Sequence, residues 1–270
     1  MILGISYQKN RILIAKHFGT DKEPEYLSFS LNEDEHQDSK VPGNIWSQIG
    51  EDARNAFISA EKVVLSIPSH LCYLKRLDIK TKYLDSSPVY LDWLASTQLP
   101  GELIGYRFGF IKIGQSFDML SQEMLLYACL KMVIEPKISS LLIPELEREL
   151  ILIPEQLGLL KTLENSITKG DIAQAGLIDF DTENATVVHM LHNRYGSSRC
   201  FPISLGPELA TDIETFLLSK ADSLESFPLV ITGNPNDFHT NWSPIVPAFM
   251  GIHNLEYAAA WGVAAYEQAE

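Results

Sequence analysis

Apolar and polar positions alternate at the start of the chain. Ile2 to Tyr7 and Arg11 to Lys16 read as two strands around Gln8-Lys9-Asn10, a polar connection suited to a hairpin. Tyr26 to Phe29 predicts a third strand, and the polar run 32–40 a loop. The period then changes. Ile45, Trp46, Ile49, Ala53, Ala56 and Phe57 recur at helical spacing and predict a helix from Pro42 or Gly43 to Ala60. Val63 to Ile67 is a short apolar strand ended by Pro68.

The next stretch reads β-β-α-β-β. It comprises Lys62 to Pro68, Cys72 to Ile79, a helix near Asp85 to Leu99, and strands at Ile104 to Ile113 and Glu123 to Lys131. Pro88 stands early in the helix, where proline is tolerated, and Pro100-Gly101 stops it. This is the pattern of a compact α+β module. A helix at Glu135 to Leu146, a strand at Leu150 to Ile153 and a helix at Glu155 to Ile167 follow. Beyond the polar linker 165–171 come strands at Ala175 to Phe180, Ala185 to His192 and Ser198 to Ile203. A helix opens at Gly206-Pro207 and runs to Lys220, a strand spans Leu229 to Thr232, and an alanine-rich helix spans Leu255 to Gln268.

There is no short tandem repeat, but there is a coarse duplication. Residues 1–67 and 174–232 each open with paired strands joined by a polar turn, then a helix and another strand. The expected division is a first subdomain at 1–61 and 135–173, an inserted module at 62–134, and a second subdomain at 174–270.

Composition narrows the function. The chain has 270 residues and a net charge of -14, which disfavours nucleic acid and anionic head groups as direct ligands of a basic patch. The opening residues lack the basic and apolar regions of a signal peptide, and no apolar run is long enough to span a bilayer. Cys72, Cys129 and Cys200 are far apart, form no C-x-x-C pair, and read as buried thiols of a reducing cytoplasm. His189 and His192, if on one strand, point to opposite faces and cannot share a metal. Ser69 beside His70 lacks the setting of a nucleophile. No metal ligand set is expected.

Several segments, in order, carry a resemblance. They are Leu3-Gly4-Ile5-Ser6, Val63 to Pro68, Leu91 to Pro100, Leu177 to Asp181, Pro202 to Gly206, and Tyr257 to Ala265 with Gly262. With the module at its expected place, the chain resembles the actin-like ATPase superfamily and within it the PilM-like branch, a branch related to FtsA and to cytoplasmic domains of type II secretion platform proteins. The resemblance implies an α/β, actin-like (ribonuclease H-like) fold of duplicated halves with an inserted small α+β module. Only about 25 residues, Gly206 to Pro228, stand where such proteins carry a further subdomain, so the second half is expected to be reduced.

The superfamily holds ATP and magnesium between two hairpin loops that need glycine, because backbone N–H groups approach the phosphates there. In this chain Ser6 stands for the expected Asp and Gln8 for the expected Gly. Lys9 follows in the turn. In the second loop Asp179 is kept, but Asp181 replaces the Gly. Gly233 alone remains of the adenosine-side glycines. Acidic or bulky side chains where phosphates would lie predict a degenerate site and no cofactor, with ATP and magnesium as the alternative.

What the resemblance implies is a non-catalytic scaffold at the inner membrane of a pilus or secretion machine. It would hold the cytoplasmic tail of a PilN-like single-span protein, with a motor ATPase or a second copy as further partners, and would itself be cytoplasmic, without inserting in the bilayer. The tail groove is expected near Trp93, Leu94, Leu99 and Leu103, residues that equally suit the core of the module. The competing readings are an active actin-like ATPase, a sugar or acyl kinase of the superfamily, and a division-type membrane tether. The acidic stretch 266–270 disfavours the tether.

Overall fold

In a computed structural model of the chain, residues 1–8, 11–18, 22–30, 45, 50–84, 88–115, 120–141, 150–166, 173–181, 183–206, 208–220, 227–233 and 258–269 are described. They form two compact units: Met1–His70 with Leu142–Glu270, and Leu71–Leu141.

The larger unit holds two sheets of matching design. In the first, β1 (Ile2–Gln8) and β2 (Arg11–His17) form the predicted hairpin, with Gln8 opposite Arg11, and β3 (Glu25–Ser30) pairs beside β2. Helix α1 (Glu51–Ser59) buries Ala53, Ala56 and Phe57. Strand β4 (Lys62–Ile67) then runs parallel to β1, and β8 (Leu150–Pro154) parallel to β4. The order is β3-β2-β1-β4-β8.

The second sheet repeats this plan. It has β9 (Gln174–Phe180), β10 (Asn184–Leu191), β11 (Arg194–Pro202), helix α6 (Glu208–Leu218) and β12 (Leu229–Gly233), in the order β11-β10-β9-β12. β12 runs parallel to β9, as β4 does to β1. Among the described residues the second sheet has no counterpart of β8. The connection from β11 to β12 carries α6 as its one α-helix among the described residues, so the second half is the reduced one. Leu209, Ile213 and Leu217 recur every fourth residue on α6 and join Ile178, Phe180, Val187 and Phe201 in one core.

Two further helices lie on the opposite faces of the sheets. Helix α5 (Glu155–Ser166) leaves the first half and packs on β9, β10 and β11 of the second. Helix α7 (Ala258–Ala269) packs on β1, β2 and β4 of the first. The two helices cross at Gly158 and Gly262, where a Cβ on Gly262 would lie 1.9 Å from the Gly158 carbonyl oxygen. Small residues allow this approach, which is why α7 reads Ala258-Ala259-Ala260 and Gly262 to Ala265. Thr162 Oγ1 donates to the Ala258 carbonyl at 2.9 Å, tying the start of α7 to the middle of α5.

The smaller unit is an antiparallel sheet of β5 (Tyr73–Lys80), β7 (Ser121–Leu130) and β6 (Tyr106–Gln115) in the order β5-β7-β6. It carries the helices α2 (Thr81–Leu84), α3 (Pro88–Gln98) and α4 (Lys131–Leu141). Ala95 and Leu99 pack on Leu126 and Ala128, with Leu77, Leu103, Phe108 and Phe110 around them. Leu99→Ala is expected to cost about 2–4 kcal/mol, the usual penalty for a cavity in a closed core. Hydrogen exchange of the β7 amides would show it as lost protection within 71–141.

Three differences from the sequence reading have physical reasons. The module begins after β4, because Lys62 to Ile67 is held between β1 and β8 rather than in the module's sheet. α4 starts at Lys131, directly after β7, and continues through Pro136. β10 and β11 are joined by a tight turn at His192 and Asn193, both at positive φ, so β11 begins at Arg194. The expected residues 42–44 and 46–49 of the first helix, and 255–257 of the last, lie outside the described residues.

Candidate functional site

The sheets place the loop residues in equivalent positions. Gly4 faces α7, since a Cβ there would meet the Ala260 carbonyl oxygen, and Ser6, two residues on, shares that face. Ile5 pairs with Leu65, so Ser6 and Ser66 adjoin across the ladder. In the second half Asp179 pairs with Thr232. Ile178 and Phe180 point into the α6 core, so Asp179 faces the α5 side. The two halves thus present Ser6 with Ser66, and Asp179 with Thr232, all buried.

A residue that the sequence reading passed over completes this cluster. Glu155 is the first residue of α5, and it is buried. Its Oε2 accepts the Ser69 backbone N–H at 2.8 Å and the Ser69 hydroxyl at 2.6 Å. Asp179 Oδ1 accepts the Thr232 hydroxyl at 2.6 Å. Burial, and then the charge of Asp179, push the Glu155 carboxyl up to about 8. Burial pushes Asp179 up to about 7, against the Thr232 hydrogen bond, and Asp181 adds to the rise. Arg11 pulls Asp179 the other way by a smaller amount. Both carboxyls are therefore held towards the neutral form. Among the described residues, Ser66 Oγ and Gln156 Oε1 are buried here without a hydrogen-bond partner.

The other loop residues have structural occupations. Asp181 Oδ1 accepts the backbone N–H groups of Glu183 and Asn184, each at 2.6 Å, and so closes the β9–β10 turn. Gln8 accepts a hydrogen bond from Arg11 Nε across the first hairpin. Gly233 sits at φ 82°, and a Cβ there would meet the Phe180 carbonyl oxygen at 2.0 Å, so the strand pairing alone requires a glycine. Asn184 Nδ2 donates to His70 Nδ1 at 3.3 Å, joining the turn after β4 to the start of β10. Lys9 lies outside the described residues. Magnesium with ATP, the alternative ligand, fits these residues poorly. The acids are engaged by Ser69, Thr232 and the Asp181 turn, and two of them are held towards the neutral form. Among the described residues no group of three His, Cys, Asp or Glu side chains is arranged to hold a metal ion.

The four groove candidates separate. Leu99 and Leu103 belong to the core of the module and Leu94 is half-buried, whereas Trp93 is exposed and packs on Tyr90.

Paired α/β sheets of like order, each opening with an antiparallel hairpin and holding a later strand parallel to its first, and an α+β module inserted after β4 define the actin-like fold. The chain is similar to the structure titled "PilM-PilN type IV pilus biogenesis complex", with 12% identity, 98% of each chain covered and a TM-score of 0.64. It is also similar to the cytoplasmic domain of EpsL, an inner membrane component of the type II secretion system of Vibrio cholerae, with 8% identity, 100% of this chain and 95% of that one covered, and a TM-score of 0.56. No protein-family model matches the chain, and no curated protein matches it by sequence.

Proposed function

We propose that the chain is a non-catalytic, actin-like component of an inner-membrane assembly platform of the pilus or type II secretion kind, and that it holds the cytoplasmic tail of a single-span membrane partner. The observation that carries the loss of catalysis is the state of the two turns. Ser6 replaces the carboxylate expected in the first. In the second, Asp181 is committed to the backbone of its own turn and Asp179 is buried towards the neutral form, as is Glu155 at the start of α5. A phosphate chain needs bare backbone and a metal held by ionised carboxylates. The likeness in fold to the PilM-PilN complex and to EpsL supports the platform reading and a PilN-like partner. No helix among the described residues is long and apolar enough to cross a membrane, consistent with attachment through a partner.

Titration calorimetry with Mg-ATP is expected to give no binding heat at micromolar to millimolar ligand. Capture of a PilN-like partner's cytoplasmic tail peptide by the full chain is the positive arm. Micromolar ATP binding would restore the ATPase alternative, and failure of every such tail to bind would remove the scaffold role.

A further inference from the structure

The second sheet encloses a histidine that the candidate site does not use. Ala185 and Val187 point into the α6 core, so His189, two residues on along β10, points there too. It is 5% exposed, and its ring stacks on Phe227 with centroids 6.2 Å apart. The strands on either side of it are trimmed to make room. Gly176 stands opposite it on β9, and Ser197 opposite it on β11, after Gly196. A Cβ on Gly196 would lie 2.6 Å from His189 Nδ1. One on Gly176 would meet Phe227, Leu229 and Leu217 at 2.8, 3.1 and 3.3 Å. Phe227 and the last turn of α6 therefore close the layer in which the imidazole lies.

Nothing in that layer supports a charge on the ring. Nε2 is buried without a hydrogen-bond partner, and so is Ser197 Oγ on the facing strand. Around the ring, β9 and β12 bring glycine and leucine, β11 glycine and serine, and α6 Leu217. The charged group that bears on it is Lys220, whose backbone N–H is bonded to the Leu217 carbonyl at the end of α6. Burial, and then this ammonium, hold the ring below its ordinary 6.5. Asp179 and Glu155 belong to the other side of the sheet, where α5 packs. An imidazolium at this place is a buried cation with an unmet N–H, next to a second cation. Such a group moves to water when it can. Water reaches Nε2 once Phe227 and the last turn of α6 lift from the strands.

We propose that His189 is an acid-released latch: a proton taken from solvent by its ring frees Phe227 and the last turn of α6 from the second sheet, while α5 holds the opposite face in place. The sign follows from linkage. The open form binds the proton at the ordinary value and the closed form more weakly. Closure is therefore complete above about 6.5 and weakens as pH falls below it. The open form presents Phe201 and Ile213, which α6 otherwise covers. His192, in the turn beyond β10, is already exposed and drives no such movement. The latch is independent of the platform reading.

Hydrogen exchange of the full chain at pH 7.5 and 5.0, corrected for the intrinsic pH dependence of exchange, is the test. Wild-type protection at 208–218 and 229–233 should fall by roughly threefold to thirtyfold at pH 5.0. Thirtyfold is the limit for one titrating group over about 1.5 pH units below its ordinary value. Residues 155–166 and 258–269 should keep their protection. In His189→Gln the fall should vanish. In Lys220→Gln it should shrink, because the repelling charge is gone. Glu155 and Asp179 take up protons over part of the same range with the opposite sign, and comparing variants with wild type cancels them. In wild type the His189 ring signals should titrate in step with the loss of α6 protection. The latch is overturned by an equal fall in His189→Gln, or by a ring that titrates while α6 stays protected. Should His189→Gln fail to fold, the exposed Lys220→Gln and the ring titration decide: a fall undiminished in Lys220→Gln also counts against it.

Discussion

Gly262→Ala is expected to lower the melting temperature by about 6–12 °C, the shift that follows from roughly 3 kcal/mol of overpacking in a domain of this size. The added methyl would lie 1.9 Å from the Gly158 carbonyl oxygen and 2.4 Å from its carbon, both backbone atoms of α5. No side-chain rotation relieves that overlap, so α5 and α7 must move apart. Moving them disturbs both halves, because α5 lies on the second sheet and α7 on the first. The Thr162 hydrogen bond to the Ala258 carbonyl is lost in the same movement. Gly105→Ala is the control, since nothing lies within 4 Å of a Cβ there. Scanning calorimetry that finds the two variants equally stable would show that the helices do not meet at Gly158 and Gly262.

Much of this architecture was legible because the chain changes period where the elements change. The first hairpin follows from alternation, and the strand Val63 to Ile67 and the three strands after residue 173 from short apolar runs bounded by polar or proline positions, although the last of them begins earlier than expected. Period does not reveal the sheet that a strand joins. Lys62 to Ile67 reads equally well as the first strand of the module, and only its pairing with β1 and β8 places it outside. The turn at His192 and Asn193 was missed for a related reason. Two residues of positive φ suffice to reverse the chain, and without a glycine they leave a weak mark in the sequence.

The candidate site was legible in its substitutions but not in its centre. Ser6, Gln8 and Asp181 announce themselves because each stands where a particular residue type is expected. Glu155 does not. An acid in the first turn of a helix is ordinarily a solvated partner of the helix dipole, and nothing local distinguishes this one. Its burial comes from the second half of the chain, which brings β9 and the 179–181 turn against it. Gly233 teaches the converse. It reads as the remainder of a nucleotide loop, yet the approach of Phe180 accounts for it without any nucleotide.

Glu155→Gln should remove most of the loss of stability that the wild type suffers as pH rises from about 5 to 9. A carboxyl whose folded pKa is raised binds its proton more tightly in the native state than in the unfolded chain. Stability from that group is therefore complete at low pH, declines as pH climbs above the ordinary value of 4.5, and levels off above about 8, the folded value of Glu155. Asp179 adds a decline of the same sign between 3.8 and about 7. At about 1.4 kcal/mol per pKa unit, the Glu155 contribution is on the order of 3–5 kcal/mol. His17 and His189, lowered by burial, act in the opposite sense at the acid end, and comparing variant with wild type cancels them. Glutamine keeps an oxygen to accept the two Ser69 hydrogen bonds and never ionises. The Glu155→Gln variant should therefore be the more stable form at pH 9 and near parity with the wild type at pH 5. Urea unfolding at both values measures this. Equal pH slopes for the two proteins would mean that Glu155 is ionised and at ease in the fold. It would then be available to a metal ion, and the case against a working phosphate site would lose its electrostatic half.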